Sequence, residues 1–216
     1  MDTYLVDNYS IENISFGKPK KHGEYFISKV KYSENSKSTD LIVQFPKMKL
    51  MSELKNTPNV ELEFIKNKYY KSVFDFLSKL EDHVTGSIFK NSEEWFGKKI
   101  PLEKINIMYN KCLKAPRNSD SECTMNFVLK KGVQIFVDHK QNDIDIDEFK
   151  INSTVECISK MKYILFLKDK CYPVWEFVVL KLHKKINKVP KYGFIEEEEI
   201  NNSDNEIDET DYSFFN

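Results

Sequence analysis

Glycine is scarce in this 216-residue chain, with six in all, and that scarcity excludes most loops that cradle phosphates. There is no Gly-x-Gly-x-x-Gly, no Walker lysine loop and no Gly-x-Ser-x-Gly, and His-Glu-x-x-His is missing as well. Arginine is scarcer still: Arg117 stands alone beside 32 lysines. Flexible ammonium charges suit phosphate contact, whereas paired reading of guanine edges belongs to arginine. The four cysteines, at 112, 123, 157 and 171, have neither metal-ligand spacing nor a nearby histidine, so a zinc ribbon and a disulfide framework are both excluded and a reducing compartment is expected. The longest apolar run is Tyr163–Leu167, five residues against the roughly 20 that a helical span needs. The opening Met-Asp-Thr-Tyr-Leu-Val-Asp has no basic region leading into an apolar stretch, so no secretory signal is expected.

What is present is charge, unevenly placed. The formal net charge of −1 hides two parts. Residues 196–216 contain nine acids and no base, which leaves 33 bases against 25 acids, a formal +8, on residues 1–195. A basic body of residues 1–190 and a disordered acidic tail of residues 191–216 are the expected organisation, the tail being too polar and self-repelling to fold.

Within the body the apolar pattern alternates between two periods. Glu24–Tyr32 reads as a strand, then a polar link at 33–39, then a strand Leu41–Phe45 stopped by Pro46, with another over Val60–Ile65. A basic, turn-rich segment, Phe16–Gly23, precedes them. Val73, Phe74, Phe76, Leu77, Leu80, Val84 and Ile88 recur at helical spacing and predict a helix over about 68–90. Asn91 and Glu94 can form a capping box for a separate turn, 92–96, ending near Gly97, and Pro101 begins a brief helix over 102–109. Strands are expected again at 124–129, 133–137, 154–158, 163–167 and 172–182, the last two joined by a tight turn at Asp169-Lys170. Strands, one dominant helix and more strands predict an α+β, mainly antiparallel β fold: an OB-like (oligonucleotide-binding) barrel elaborated with one long helix and short helical turns.

Catalytic and metal readings are weak. Asp143, Asp145 and Asp147 resemble the start of a calcium loop, but Glu148 stands where glycine is needed and Thr154 where glutamate is. Asp82-His83 is an isolated pair on a helix, expected as surface decoration, and His22, His139 and His183 have no ligand spacing. No enzyme activity and no cofactor are expected.

Lysine interleaved with aromatics is the informative pattern. Coating a single strand without reading its sequence takes lysines for phosphates and exposed rings for bases, each stacked base contributing about 1–3 kcal/mol. Lys18, Lys20, Lys21, Lys29, Lys31, Lys47, Lys49, Lys98 and Lys99 are the candidate phosphate contacts. Tyr25, Phe45 and Trp175 are the candidate stacking rings. Period-two alternation puts Tyr25 on the charged side of its strand, together with Lys29 and Lys31. It puts Trp175 on the side of Lys181 and His183, although a tryptophan in a central strand is more often core. Trp95 is expected to be a packing anchor. In the tail, Tyr212, Phe214 and Phe215 form an aromatic tip suited to docking in a basic-rimmed apolar pocket, or to folding back as a mimic of a polyanion.

Ile14-Ser-Phe-Gly17, Leu41–Met48, Phe74–Leu80, Trp95–Lys99 with Pro101-Leu-Glu103, and Ile164–Lys168 followed by Tyr172–Phe177 stand in an order that resembles the single-stranded DNA-binding proteins of nucleocytoplasmic large DNA viruses, the giant-virus and asfarvirus group. The resemblance spans about residues 14–182; it departs from the pattern at Phe45, where a small polar residue is expected, and in the few glycines. It implies an OB-type core that coats single-stranded DNA during viral replication without catalysis. The tail is similar in design to the acidic, aromatic-tipped C-termini of bacterial and phage single-strand-binding proteins. The function expected from this reading is sequence-nonspecific binding of single-stranded DNA, or of RNA by the same contacts, in a viral replication factory of the host cytoplasm or in the virion. Replication proteins would dock on the tail, oligomers could form along the strand, and no membrane is involved. The alternative is a non-enzymatic virion or scaffold protein that binds partners through its tail.

Overall fold

The computed structural model describes residues 4–6, 9–55, 57–130, 135–138 and 140–183. Alternating apolar residues set the strands: β1 Tyr4–Leu5, β2 Ile14–Phe16, β3 Lys20–His22, β4 Tyr25–Glu34, β5 Lys37–Thr39, β6 Leu41–Leu50 and β7 Asn59–Phe64. Helices α1 Tyr70–Phe96 and α2 Leu102–Met108 follow, then β8 Leu113–Lys114, β9 Thr124–Val128, β10 Ile135–Val137, β11 Thr154–Phe166 and β12 Cys171–His183. Among the described residues no helix is long and apolar enough to cross a membrane. The expected tail, with Tyr212, Phe214 and Phe215, lies outside the described residues.

Strands β6, β7, β9, β12 and β11 pair in that order, and β11 returns to β6, closing a five-stranded barrel. It is a mixed barrel because β12 and β9 run parallel while the other barrel pairs are antiparallel. With α1 between β7 and β9, this is the expected α+β, OB-like architecture. Strand β11 is long enough to serve two neighbours on one edge: Thr154–Met161 pair with β6, and Tyr163–Phe166 pair with β4. Strands β2, β3 and β5 attach to β4.

The interior is aromatic at its centre. Phe45 meets Phe127 and Trp175 edge-on with ring centroids 5.2 and 5.3 Å apart, and Phe127 stacks on Phe177 at 4.9 Å. Such pairs add about 0.5–1.5 kcal/mol each to the area they bury. Helix α1 lays Val73, Leu77, Leu80, Val84 and Ile88 on this core, together with Glu81, whose Oε1 accepts the Cys112 N–H at 2.7 Å.

Several local expectations are corrected. Pro46 does not stop its strand: Phe45 pairs with Cys157 and Met48 with Val155, so Pro46 and Lys47 face Glu156 as a bulge, a place where a strand tolerates a residue with no N–H. The polar link 33–39 is a hairpin whose turn residues Asn35 and Ser36 both have positive φ, 48° and 64°, as a type I′ turn requires. No capping box divides the helix: the Asn91 amide donates to the Ser87 carbonyl and α1 runs on to Phe96, ending at Gly97, whose φ of 71° suits glycine. The strands expected at 154–158 and 163–167 are one, and part of the basic turn segment is β3.

Candidate nucleic-acid interface

On β4, Ser28, Val30 and Tyr32 point inward, which leaves Tyr25, Ile27, Lys29 and Lys31 on the outer face. Strand β3 pairs Lys20 with Ile27 and His22 with Tyr25, and opposite residues in a ladder share a face. The His22 ring stacks on Tyr25 at 5.2 Å. From the other edge β11 sets Tyr163 opposite Lys29. Between β11 and β12 the pairing steps from Met161 with Trp175 to Tyr163 with Val174, so Lys162 is a bulged residue. That bulge turns Lys162 and Tyr163 outward one after the other, beside Lys160. The result is a groove of about 400 Å³ lined by His22, Tyr25, Lys29, Lys31, Lys160, Lys162 and Tyr163.

Carboxylates partly offset the lysines. Asp40 accepts from Lys31 at 2.7 Å and lies 3.5 Å from Lys160, and Glu176 pairs with Lys162. The hydrogen bond from Lys31 holds the Asp40 carboxyl below its ordinary range. Lys29 has no carboxylate partner among the described residues. Burial pushes the Tyr163 phenol up, so its ring meets the groove uncharged. Fixed aromatic faces between mobile ammonium groups can hold bases and phosphates of an unpaired strand at once.

The sequence-predicted residues scatter. Lys29, Lys31 and Tyr25 meet in this groove; Lys20 does not line it but stands opposite Ile27 on the paired strand β3, while Lys21 pairs with Phe26, whose side chain leaves by the other face. Phe45 is fully buried and Trp175 is 1% exposed, so neither can stack on a base; both are core. A bulge separates Trp175 from the side of Lys181 on which strict alternation puts it: Ile158 pairs with Val179 and Ser159 with Phe177, so Val178 shifts the alternation and parts Trp175 from the face of Lys181. Lys49 is paired with Glu63 at 3.3 Å, and Lys18 lies 3.9 Å from Glu94. Lys47 lines a separate groove with Lys68 and Tyr69. Lys98 rims an apolar groove with Lys104 and Lys168, around Phe26 and Leu167, and Lys99 sits over the Phe89 ring. Trp95 packs edge-on against Phe96. His83 is not decoration: its Nε2 lies 2.8 Å from the Ile14 carbonyl oxygen. Of the calcium-loop acids, Asp145 accepts the Asp147 N–H and Asp147 pairs with Lys55.

Lys160, Lys162 and Tyr163 escaped sequence reasoning. The alternation Lys160-Met161-Lys162 was a usable signal, but the bulge that turns Tyr163 outward leaves no mark in composition.

Residues 57–196 match a protein family described as "Family of unknown function (DUF5871)". The chain belongs to this family. No curated protein matches the DUF5871 chain. Its fold is similar to solved structures of phage proteins. One is a C-terminally truncated single-stranded DNA-binding protein from bacteriophage Enc34, 9% identical with a TM-score of 0.44, covering 79% of this chain and 96% of that one. Another is gp2.5, a single-stranded DNA-binding protein encoded by bacteriophage T7, 10% identical with a TM-score of 0.46, covering 74% and 100%. The Enc34 protein in complex with ssDNA aligns at 9% identity and a TM-score of 0.41, covering 79% and 96%.

Proposed function

We propose that this DUF5871 protein is a sequence-nonspecific single-stranded DNA-binding protein that coats ssDNA during viral DNA replication. The observation that carries the reading is the outer face of β4 and β11, where Tyr25 and Tyr163 stand among Lys29, Lys31, Lys160 and Lys162. Rings in such a face need base faces free of a duplex stack, which favours unpaired strands. Lysine contacts displace condensed counterions, so affinity falls steeply with salt. The same contacts accept RNA, since neither stacking nor phosphate neutralisation rejects a ribose 2′-hydroxyl.

The nine acids of residues 196–216 oppose the +8 of residues 1–195. They compete with the strand for the lysines, or their tip docks replication proteins. Removing residues 196–216 tightens binding to oligo-dT at low salt if the tail competes; unchanged affinity assigns it to partner docking alone. Ultraviolet crosslinking of full-length protein to oligo-dT, followed by peptide mapping, tests the face itself. Adducts are expected in the peptides carrying Tyr25 and Tyr163, and adducts confined to other peptides contradict the assignment.

A further inference from the structure

The outer face of β11 does not end at the lysine groove. Its residues alternate regularly between inside and outside from Thr154 to Lys162, so Glu156, Ile158 and Lys160 share one face. Strand β6 widens that face, with Ile42 opposite Lys160 and Gln44 opposite Ile158. Glu156 then meets the Pro46-Lys47 bulge, and there a second groove of about 440 Å³ opens, lined by Gln44, Lys47, Glu156, Asn67, Lys68 and Tyr69 among others. From Lys160 to Glu156 the strand advances about 13 Å, at roughly 3.3 Å per residue. The row between them, Ile158 and Gln44, carries no charge.

This second groove repeats the chemistry of the first. Tyr69 is 39% exposed, and Lys68 Nζ stands 4.9 Å from its ring centroid. The bulge turns Lys47 out to solvent, and neither Lys47 nor Lys68 has a carboxylate partner among the described residues, so both ammonium groups are free to meet an anion. The acid among the lining residues, Glu156, is already engaged: its Oε2 accepts from Lys181 at 3.2 Å.

The exposed ring is also held in place. Asn67 Oδ1 accepts the Tyr69 N–H at 2.9 Å while Asn67 Nδ2 donates to the Ile65 carbonyl at 3.0 Å, and the Tyr69 carbonyl accepts the Val73 N–H at 3.1 Å as α1 begins. A platform fixed in advance loses little freedom when a base stacks on it.

We propose that a single strand held at Tyr25 and Tyr163 continues along β11, past Lys160, into this second groove, where Lys47 and Lys68 neutralise phosphates and Tyr69 stacks on a base. The inference rests on the single-strand reading above and adds to it a direction and a length requirement. A strand that spans both grooves makes its second contact within one complex, so its affinity rises steeply once it is long enough to bridge them. A shorter strand occupies the lysine face alone.

The test titrates full-length protein with labelled oligo-dT of about 4 to 16 nucleotides, the range that one OB-type fold covers. Tyr69→Ala should weaken binding of the longest strand about tenfold, within the contribution of one stacked base, and leave the shortest bound as by the parent. Lys47→Gln with Lys68→Gln should lower the salt slope of the longest strand by about 1.4, two single-strand phosphates at about 0.7 each. All three side chains are exposed, and an unchanged melting temperature confirms the fold of each variant. The lysine variant carries the test by itself if Tyr69→Ala melts early. Long-strand affinity and slope that match the parent in the folded variants overturn the second contact and leave binding at the lysine face intact. Equal weakening at every length overturns the path along β11, because the second groove would then be the whole site. Failure of the parent to bind any length overturns both readings together.

Discussion

Lys31 donates a hydrogen bond to Asp40 at 2.7 Å in the middle of the lysine face. The same carboxylate lies 3.5 Å from Lys160, so one acid restrains two of the groove's cations. Asp40→Asn should therefore strengthen binding of oligo-dT and steepen its salt dependence by about 0.7 for each further phosphate that the released lysines neutralise. Anisotropy titrations at several salt concentrations measure both, and a weaker complex would show that Asp40 positions the lysines instead of restraining them.

The aromatics divide into two kinds. Tyr25→Ala and Tyr163→Ala should each weaken oligo-dT binding by about 1–3 kcal/mol, with little change in salt slope, because a stacked base is lost and no phosphate is. Phe45→Ala and Trp175→Ala should instead cost about 3–5 kcal/mol of folding stability by opening cavities in the barrel. Chemical denaturation separates the pairs.

Lysines differ by their partners. Lys29→Gln should lower the salt slope by about 0.7, the signature of one phosphate contact to a single strand. Lys49→Gln should leave the slope unchanged, since Lys49 is already engaged by Glu63 at 3.3 Å on another part of the barrel. Equal effects would move the interface toward β7.

Much of the fold was legible because periodicity reports burial directly. The stripe from Val73 to Ile88 placed α1, and the alternation in Glu24–Tyr32 placed Tyr25 with Lys29 and Lys31. Bulges defeated the rest. Each inserts one residue and exchanges the faces beyond it, so Val178 hid the burial of Trp175 and Lys162 hid the exposure of Tyr163. Pro46 looked like a strand end for the same reason. Glu81, within an otherwise apolar stripe, was opaque because its partner is the backbone N–H of Cys112, 31 residues away.

Glu81 gives the fold a pH signature. Burial raises its carboxyl above the ordinary glutamate value, against the opposing hydrogen bond from the Cys112 N–H. An acid whose folded value exceeds its unfolded one favours the fold fully below the unfolded value, and that contribution is lost as pH rises through the folded value. Glu81→Gln keeps an acceptor for Cys112 and cannot ionise, so its melting temperature relative to wild type should climb from acid to neutral pH. A difference that is flat across that range contradicts the assignment.

The central claim is that the face of Tyr25, Tyr163 and their lysines holds unpaired strands. The measurement that tests it most directly is a salt titration of full-length protein against labelled oligo-dT and a duplex of equal length. Tight, salt-sensitive binding of oligo-dT with weaker binding of the duplex is the expected result; no binding at low salt, or equal affinity for the two, would contradict it.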